Sequence, residues 1–170
     1  MTLEQTFVKY AADKLEQYCS RIEICVDKLT PEQIWMRGTD HSNAIGNLVL
    51  HLSGNVRQWI LHGVGGAPDD RQRDAEFAAR DFEVEGLKQR LRGTVEEAAA
   101  MIRSLPASRL GGEFSVQNYN VTVIEAIMHV VEHFSGHTAQ IIFITKFVTG
   151  EDLGFYAHLK LPRAHSQKTP

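Results

Sequence analysis

Apolar residues recur at spacings of three and four in four separate stretches of the chain, and this period restricts it to packed amphipathic helices. The first stripe, over 3–29, carries Phe7, Ala11, Leu15, Tyr18, Ile22, Cys25 and Leu29. Thr2 and Gln5 stand at capping-box spacing ahead of it, and Thr30-Pro31-Glu32-Gln33 repeats the signal for a short helical turn ending near Met36. A second long helix is expected from Ser42 or Asn43 to about His62, with Ala44, Leu48, His51, Leu52, Asn55 and Trp59 along one side. The third follows Leu87, Leu91, Val95, Ala98, Ile102 and Leu105 until Pro106 stops it. The fourth starts at the capped Thr122-Val-Ile-Glu125 and ends at Gly150, and being apolar nearly all round it is predicted to lie deepest.

Two connections are long. The 63–81 stretch is rich in Gly, Pro, Asp and Arg and reads as a mobile crossover with one helical turn around Ala75–Ala79, while 106–120 reads as a polar loop. The expectation is an all-α four-helix bundle with long crossover connections over 1–150, followed by a C-terminal tail over 151–170 that is docked or mobile. A chain of 170 residues can bury roughly two-thirds of its unfolded surface, enough for one core without staples.

Charge and apolar run length remove whole classes of partner. A net charge of −3 supplies no broad basic field, which argues against nucleic acid. No apolar run reaches about 18 residues, so no membrane span is expected. The N-terminus lacks a secretory layout. Cys19 and Cys25, six apart on one helix, point in different directions and read as reduced core thiols in a cytoplasmic protein.

The chemistry sits in the fourth helix, where His129, His133 and His137 follow one another at four-residue steps. Neighbours at that spacing share a helix face, so two of the three can hold one ion, and a third ligand must come from another helix. His51, set among Leu48, Leu52 and Trp59, is the natural donor. A lone histidine on an apolar stripe is more often a hydrogen-bonded core residue. Three on one buried helix are harder to explain so, because each imidazole needs polar partners. His129 reads as a core histidine or a support for the ligands. Asn55 and Gln140 are candidates to orient a ligand or bind substrate, or are simply structural. His41, His62, His158 and His165 fall in or beside loops and are read as solvated. No Glu-x-x-His, His-Glu-x-x-His, G-x-S-x-G or Cys-x-x-Cys occurs, which argues against di-iron, zinc-protease, serine-hydrolase and dithiol chemistries.

Leu48-x-x-His51-Leu52 followed by His133-x3-His137-x2-Gln140-Ile141 resembles the DinB-like superfamily of small metalloenzymes over about 1–150, with Ala139 where a Gly is usual. The resemblance implies a four-helix bundle of unusual topology. It further implies a zinc or nickel ion held by the equivalents of His51, His133 and His137, and pairing as a homodimer. Relatives with assigned activity include transferases and isomerases that use low-molecular-weight thiols such as bacillithiol or mycothiol. The function so implied is a metal-dependent, thiol-dependent S-transferase acting on a small molecule. The alternatives are a non-catalytic bundle cross-linked by the ion and a metal-activated hydrolase.

Overall fold

The computed structural model describes residues 1–157. Helix α1 spans Leu3–Val26 and the short α2 spans Pro31–Ile34, each opened by the expected capping box, from Thr2 to Gln5 and from Thr30 to Gln33. Helix α3 spans Ile45–Val56 and runs on without a break as a wider, π-helical segment, Arg57–Val64. It starts later than the sequence suggests, because Ser42 and Asn43 do not cap it. Asn47 reaches back instead and accepts a hydrogen bond from the Ala44 N–H at 3.2 Å. Helix α4 (Arg73–Ala78) lies inside the long connection, α5 spans Val84–Ser104, and α6 spans Val123–Thr149. The Thr122–Glu125 box opens α6, and Gly150 closes it in the left-handed conformation, φ 69°, where a side chain would be strained.

The four long helices form a ring in which α1 touches α5 and α6, and α3 touches the same two. Thus α1 and α3 stand on one diagonal, α5 and α6 on the other. The chain crosses a diagonal twice, from α1 to α3 through α2 and from α5 to α6 through 105–122. The 65–83 connection joins neighbours, and it is not the loose crossover expected. The Asn47 amide, fully buried, donates to the carbonyls of Glu76 and Ala79 at 2.9 Å each, and Arg37 donates to Asn47 Oδ1 at 2.7 Å and to the Phe77 carbonyl at 2.9 Å. These bonds pin α4 against α3.

Two further differences from the sequence reading matter for the site. The loop before α6 contains an antiparallel hairpin, β1 (Glu113–Val116) with β2 (Tyr119–Thr122). Gln117 and Asn118 make its turn at φ 51° and 66°, a type I′ geometry. The deepest helix is α3, all twelve of whose residues are buried, and not α6. Helix α6 buries one stripe, Val123, Ala126, Ile127, Val130, Phe134, Thr138, Ile141 and Thr145, and leaves Met128, Phe143 and Phe147 exposed. Small residues let α3 sit so deep, since the Trp35 ring covers Gly46 so closely that a Cβ there would lie 2.7 Å from it.

After Gly150, residues 151–157 return along α1, with Glu151 bonded to Lys28 at 2.7 Å and the Arg21 guanidinium over the Phe155 and Tyr156 rings. The tail expected over 151–170 lies beyond that point outside the described residues, as do His158 and His165. Among the described residues no helix is long and apolar enough to cross a membrane.

Candidate metal centre

Helices α3 and α6 run antiparallel and face each other, so that His51 meets the His133 and His137 rings and Trp59, two turns further along α3, meets His129 earlier on α6. Burial of Val130, Phe134 and Thr138 fixes the rotation of α6 and turns His133 and His137 towards α3. The Nε2 atom of His133 lies 3.1 Å from Nε2 of His51 and 3.1 Å from Nε2 of His137. One ligand atom of each of the three residues lies within 4.8 Å of the others. Metal–nitrogen bonds of about 2.0–2.1 Å at tetrahedral angles would place ligand nitrogens roughly 3.3 Å apart. The two spacings to His133 are already close to this value.

The outer ring nitrogens decide whether those inner atoms are lone pairs. His137 Nδ1 lies 2.7 Å from Gln140 Oε1, an acceptor, which places the proton on Nδ1 and leaves Nε2 bare. His51 Nδ1 lies 3.2 Å from Glu76 Oε2, again an acceptor. Arg71 Nη2, which can only donate, stands 3.1 Å from the same nitrogen while it also donates to Glu76 Oε2 at 2.8 Å, so Nδ1 either accepts from Arg71 or donates to the carboxylate, and only the second leaves Nε2 bare. With His51 Nδ1 donating to Glu76, two bare nitrogens face His133 Nε2, which has one proton at most to share between them; with Nδ1 accepting from Arg71, the His137 lone pair still faces a His133 nitrogen that the His51 N–H already occupies. His133 Nδ1 is buried and has no partner. As a purely structural cluster this arrangement leaves lone pairs opposed. A shared cation resolves it, with His133 carrying its proton on Nδ1, so the donor set fits a divalent ion.

Electrostatics point the same way. Burial first, then the neighbouring His137, His51 and His129, push His133 down to about 3. Burial also lowers His137, against the opposing bond to Gln140. Both rings are thus neutral at pH 7, the form that ligates. Burial tends to raise Glu76, but the hydrogen bonds from Arg71 and His51 outweigh it and keep the carboxyl below its usual range. A buried carboxylate beside a buried guanidinium, 6% and 4% exposed by side chain, leaves the surroundings of the three rings close to neutral.

Of the remaining predicted residues, His129 lies against the Trp59 ring, tilted by 34° with 4.1 Å between centroids, and parallel to His133 at 5.7 Å. Its burial lowers its pKa, opposed by Glu132. It is not a member of the converging group. Asn55 is buried beside the cluster with its Oδ1 unpaired, as is Trp59 Nε1. Gln140 contacts His137 directly. His41 is exposed as expected, whereas His62 is half-buried within the π-helical segment and its Nδ1 meets the Ala67 carbonyl at 2.6 Å. Sequence reasoning missed Glu76 and Arg71. The one signal available was Gly54, a helix-interior glycine one turn from His51, whose missing side chain makes the space that Glu76 fills.

A family model described as "Protein of unknown function (DUF1572)" matches residues 2–165. No curated protein matches the chain. Among solved structures, a conserved protein from Enterococcus faecalis aligns with a TM-score of 0.73 at 14% identity, over 89% of this chain and 99% of that one. The DinB-like protein YjoA from Bacillus subtilis aligns with a TM-score of 0.66 at 14% identity, over 86% of this chain and 96% of that one. Identities this low establish a common fold and nothing finer.

Proposed function

The chain belongs to the DUF1572 family and shares the fold of a DinB-like protein, and on that premise we propose that it is a metal-dependent enzyme of the DinB-like superfamily. In this reading His51, His133 and His137 hold one divalent ion, zinc or nickel, and a low-molecular-weight thiol is transferred to an electrophilic small molecule. The observation that carries the reading is the convergence of the His51 and His137 Nε2 atoms on His133 Nε2, each at 3.1 Å, with two of the outer nitrogens already bonded. Three ligands, rather than the four that close a structural site, favour a reactive centre. Among the described residues no fourth His, Cys, Asp or Glu joins the group.

A divalent ion held by the three neutral imidazoles would keep its full charge and would lower the pKa of a thiol or water bound to it. The chain's own groups do the rest. Gln140 and Glu76 hold the His137 and His51 rings in the tautomer that presents Nε2. Asn55 and Trp59, each with an unpaired buried polar atom next to the rings, suit the orienting of a substrate. The transfer balances simply: the thiolate sulfur forms a bond to the electrophilic carbon, the leaving group departs with its electron pair, and the thiol proton passes to solvent.

The test is a screen of the zinc- and nickel-loaded chain with cellular thiols and halogenated or epoxide electrophiles, whose carbon–halogen or carbon–oxygen bond is the one that breaks. Thiol consumption that needs the metal and disappears in His133→Ala supports the proposal. A stoichiometrically loaded chain that turns over none of them refutes the transferase reading. A homodimer is part of the same reading, supported by the outer face of α6, where the exposed Phe143 and Phe147 rings stack at 6.4 Å. A monomeric mass by light scattering would count against it.

A further inference from the structure

The side chains that meet the His51 ring away from the cluster, Arg71, Glu76 and Phe77, belong to the 65–83 connection. Glu76 Oε2 meets His51 Nδ1 at 3.2 Å, and Arg71 clamps both oxygens of that carboxylate, Nε to Oε1 and Nη2 to Oε2, at 2.8 Å each. The Phe77 ring lies 4.7 Å from the His51 ring. Arg71 also donates from Nη1 to Gln58 Oε1 at 3.0 Å, and that same oxygen accepts from Gln117 Nε2 at the hairpin turn. The Gln58 amide donates to Asp69 Oδ2 at 2.8 Å. One imidazole is thereby tied, through a single buried carboxylate, to the whole connection and to the tip of the hairpin.

We propose that Glu76 is the positioning residue of the centre, and that through its bond to His51 metal occupancy and closure of the 65–83 connection are a single coupled equilibrium. The inference rests on the metal reading above. A cation on Nε2 withdraws electron density from the ring and makes Nδ1–H a stronger donor, so the bond to the carboxylate tightens when the ion is held. The carboxylate in turn fixes the ring's tautomer and raises its strength as a ligand. Coupling of this kind is reciprocal, and whatever factor the closed connection adds to metal affinity, the metal returns to closure. Partners of metal-bound histidines are typically worth about 10–100-fold in affinity. Gly54 makes the contact possible, because a Cβ there would lie 1.9 Å from Glu76 Oε1.

The experiment measures zinc affinity by competition with a chromophoric chelator, and amide hydrogen exchange over 65–83 with and without zinc. The wild-type chain, Glu76→Gln and Gly54→Ala are compared. Zinc is expected to slow exchange in the wild-type connection, and both variants are expected to bind zinc about 10–100-fold more weakly. In each variant held saturated with zinc, the slowing should shrink or vanish, and a cobalt-loaded sample should show a shifted visible spectrum, which mere loss of fold stability would not produce. Wild-type zinc affinity in both variants, or a wild-type connection whose exchange ignores zinc, overturns the proposal while leaving the metal centre standing. A wild-type chain that binds no zinc overturns both. The wild-type exchange measurement stands by itself if either variant fails to fold.

Discussion

Replacing Gly54 with alanine tests the buried geometry without any metal. In the middle of an ordinary helix the change from Gly to Ala is stabilising by about 1 kcal/mol, because the chain loses less freedom on folding. Here the new Cβ would fall 1.9 Å from Glu76 Oε1, 2.8 Å from its Cδ and 3.0 Å from Arg71 Nε, whereas ordinary contacts begin at 3.4 Å. The carboxylate must retreat by about 1.5 Å, and even if the Arg71 side chain follows it with one bond, two of its three hydrogen bonds of 2.8–3.2 Å are lost. Loss of two charge-assisted bonds costs about 1.5–3 kcal/mol each, against the gain of about 1 kcal/mol in helix propensity. The net expectation is a destabilisation of about 2–5 kcal/mol, or a fall in Tm of roughly 5–15 °C for a domain of this size. The assay is thermal unfolding followed by far-UV circular dichroism, with chelator present so that metal affinity plays no part. Gly93→Ala is the internal control, since nothing lies within 4 Å of a Cβ at that exposed position in α5 and the substitution should stabilise by about 0.5–1 kcal/mol. If Gly54→Ala is as stable as the wild type or more so, Glu76 does not occupy the space above Gly54 and the wiring to His51 is wrong.

Two further results follow from the same structure. Asn47→Ala removes a fully buried amide that joins Ala44, Arg37, Glu76 and Ala79, and it should cost about 3 kcal/mol, read as a lower urea midpoint at unchanged slope. Metal-free stability should also fall as pH drops from 7.5 to 5.5. In that window the unfolded chain, with histidines near 6.5, takes up protons that the folded chain refuses, because His133 is held down to about 3 and His137 is lowered too. His133 alone contributes on the order of 1 kcal/mol over the window, so urea titrations at the two pH values should separate by at least that amount, and by less in His133→Asn.

What could be read from the sequence was local in origin. The three capping boxes depend on residues three apart and formed as expected, and the stripes of α1 and α5 follow directly from spacing. The convergence of His51 with His133 and His137 was also legible, because four-residue spacing on α6 fixes two positions and only one histidine lies within a strongly apolar stripe elsewhere. The misreadings involved tertiary context. The hairpin turn is made by Gln117 and Asn118 without a glycine, so the usual type I′ signal was missing. Helix α6 looked deepest on composition, but burial was decided by the small residues of α3, and Phe143 and Phe147 were left outside. Glu76 and Arg71 sit in a stretch whose polarity reads as solvated loop. Only folding shows that both charges are buried against His51, since nothing in the 63–81 pattern reports a contact made with a helix preceding it.

Elemental mass spectrometry on untagged protein, beside His51→Ala, His133→Ala and His137→Ala, tests the centre most directly. The account predicts about one zinc or nickel ion per chain in the parent, and helical but metal-free variants for all three substitutions. A parent chain that carries no metal and cannot be loaded, or variants that keep the parent's metal content, would contradict it.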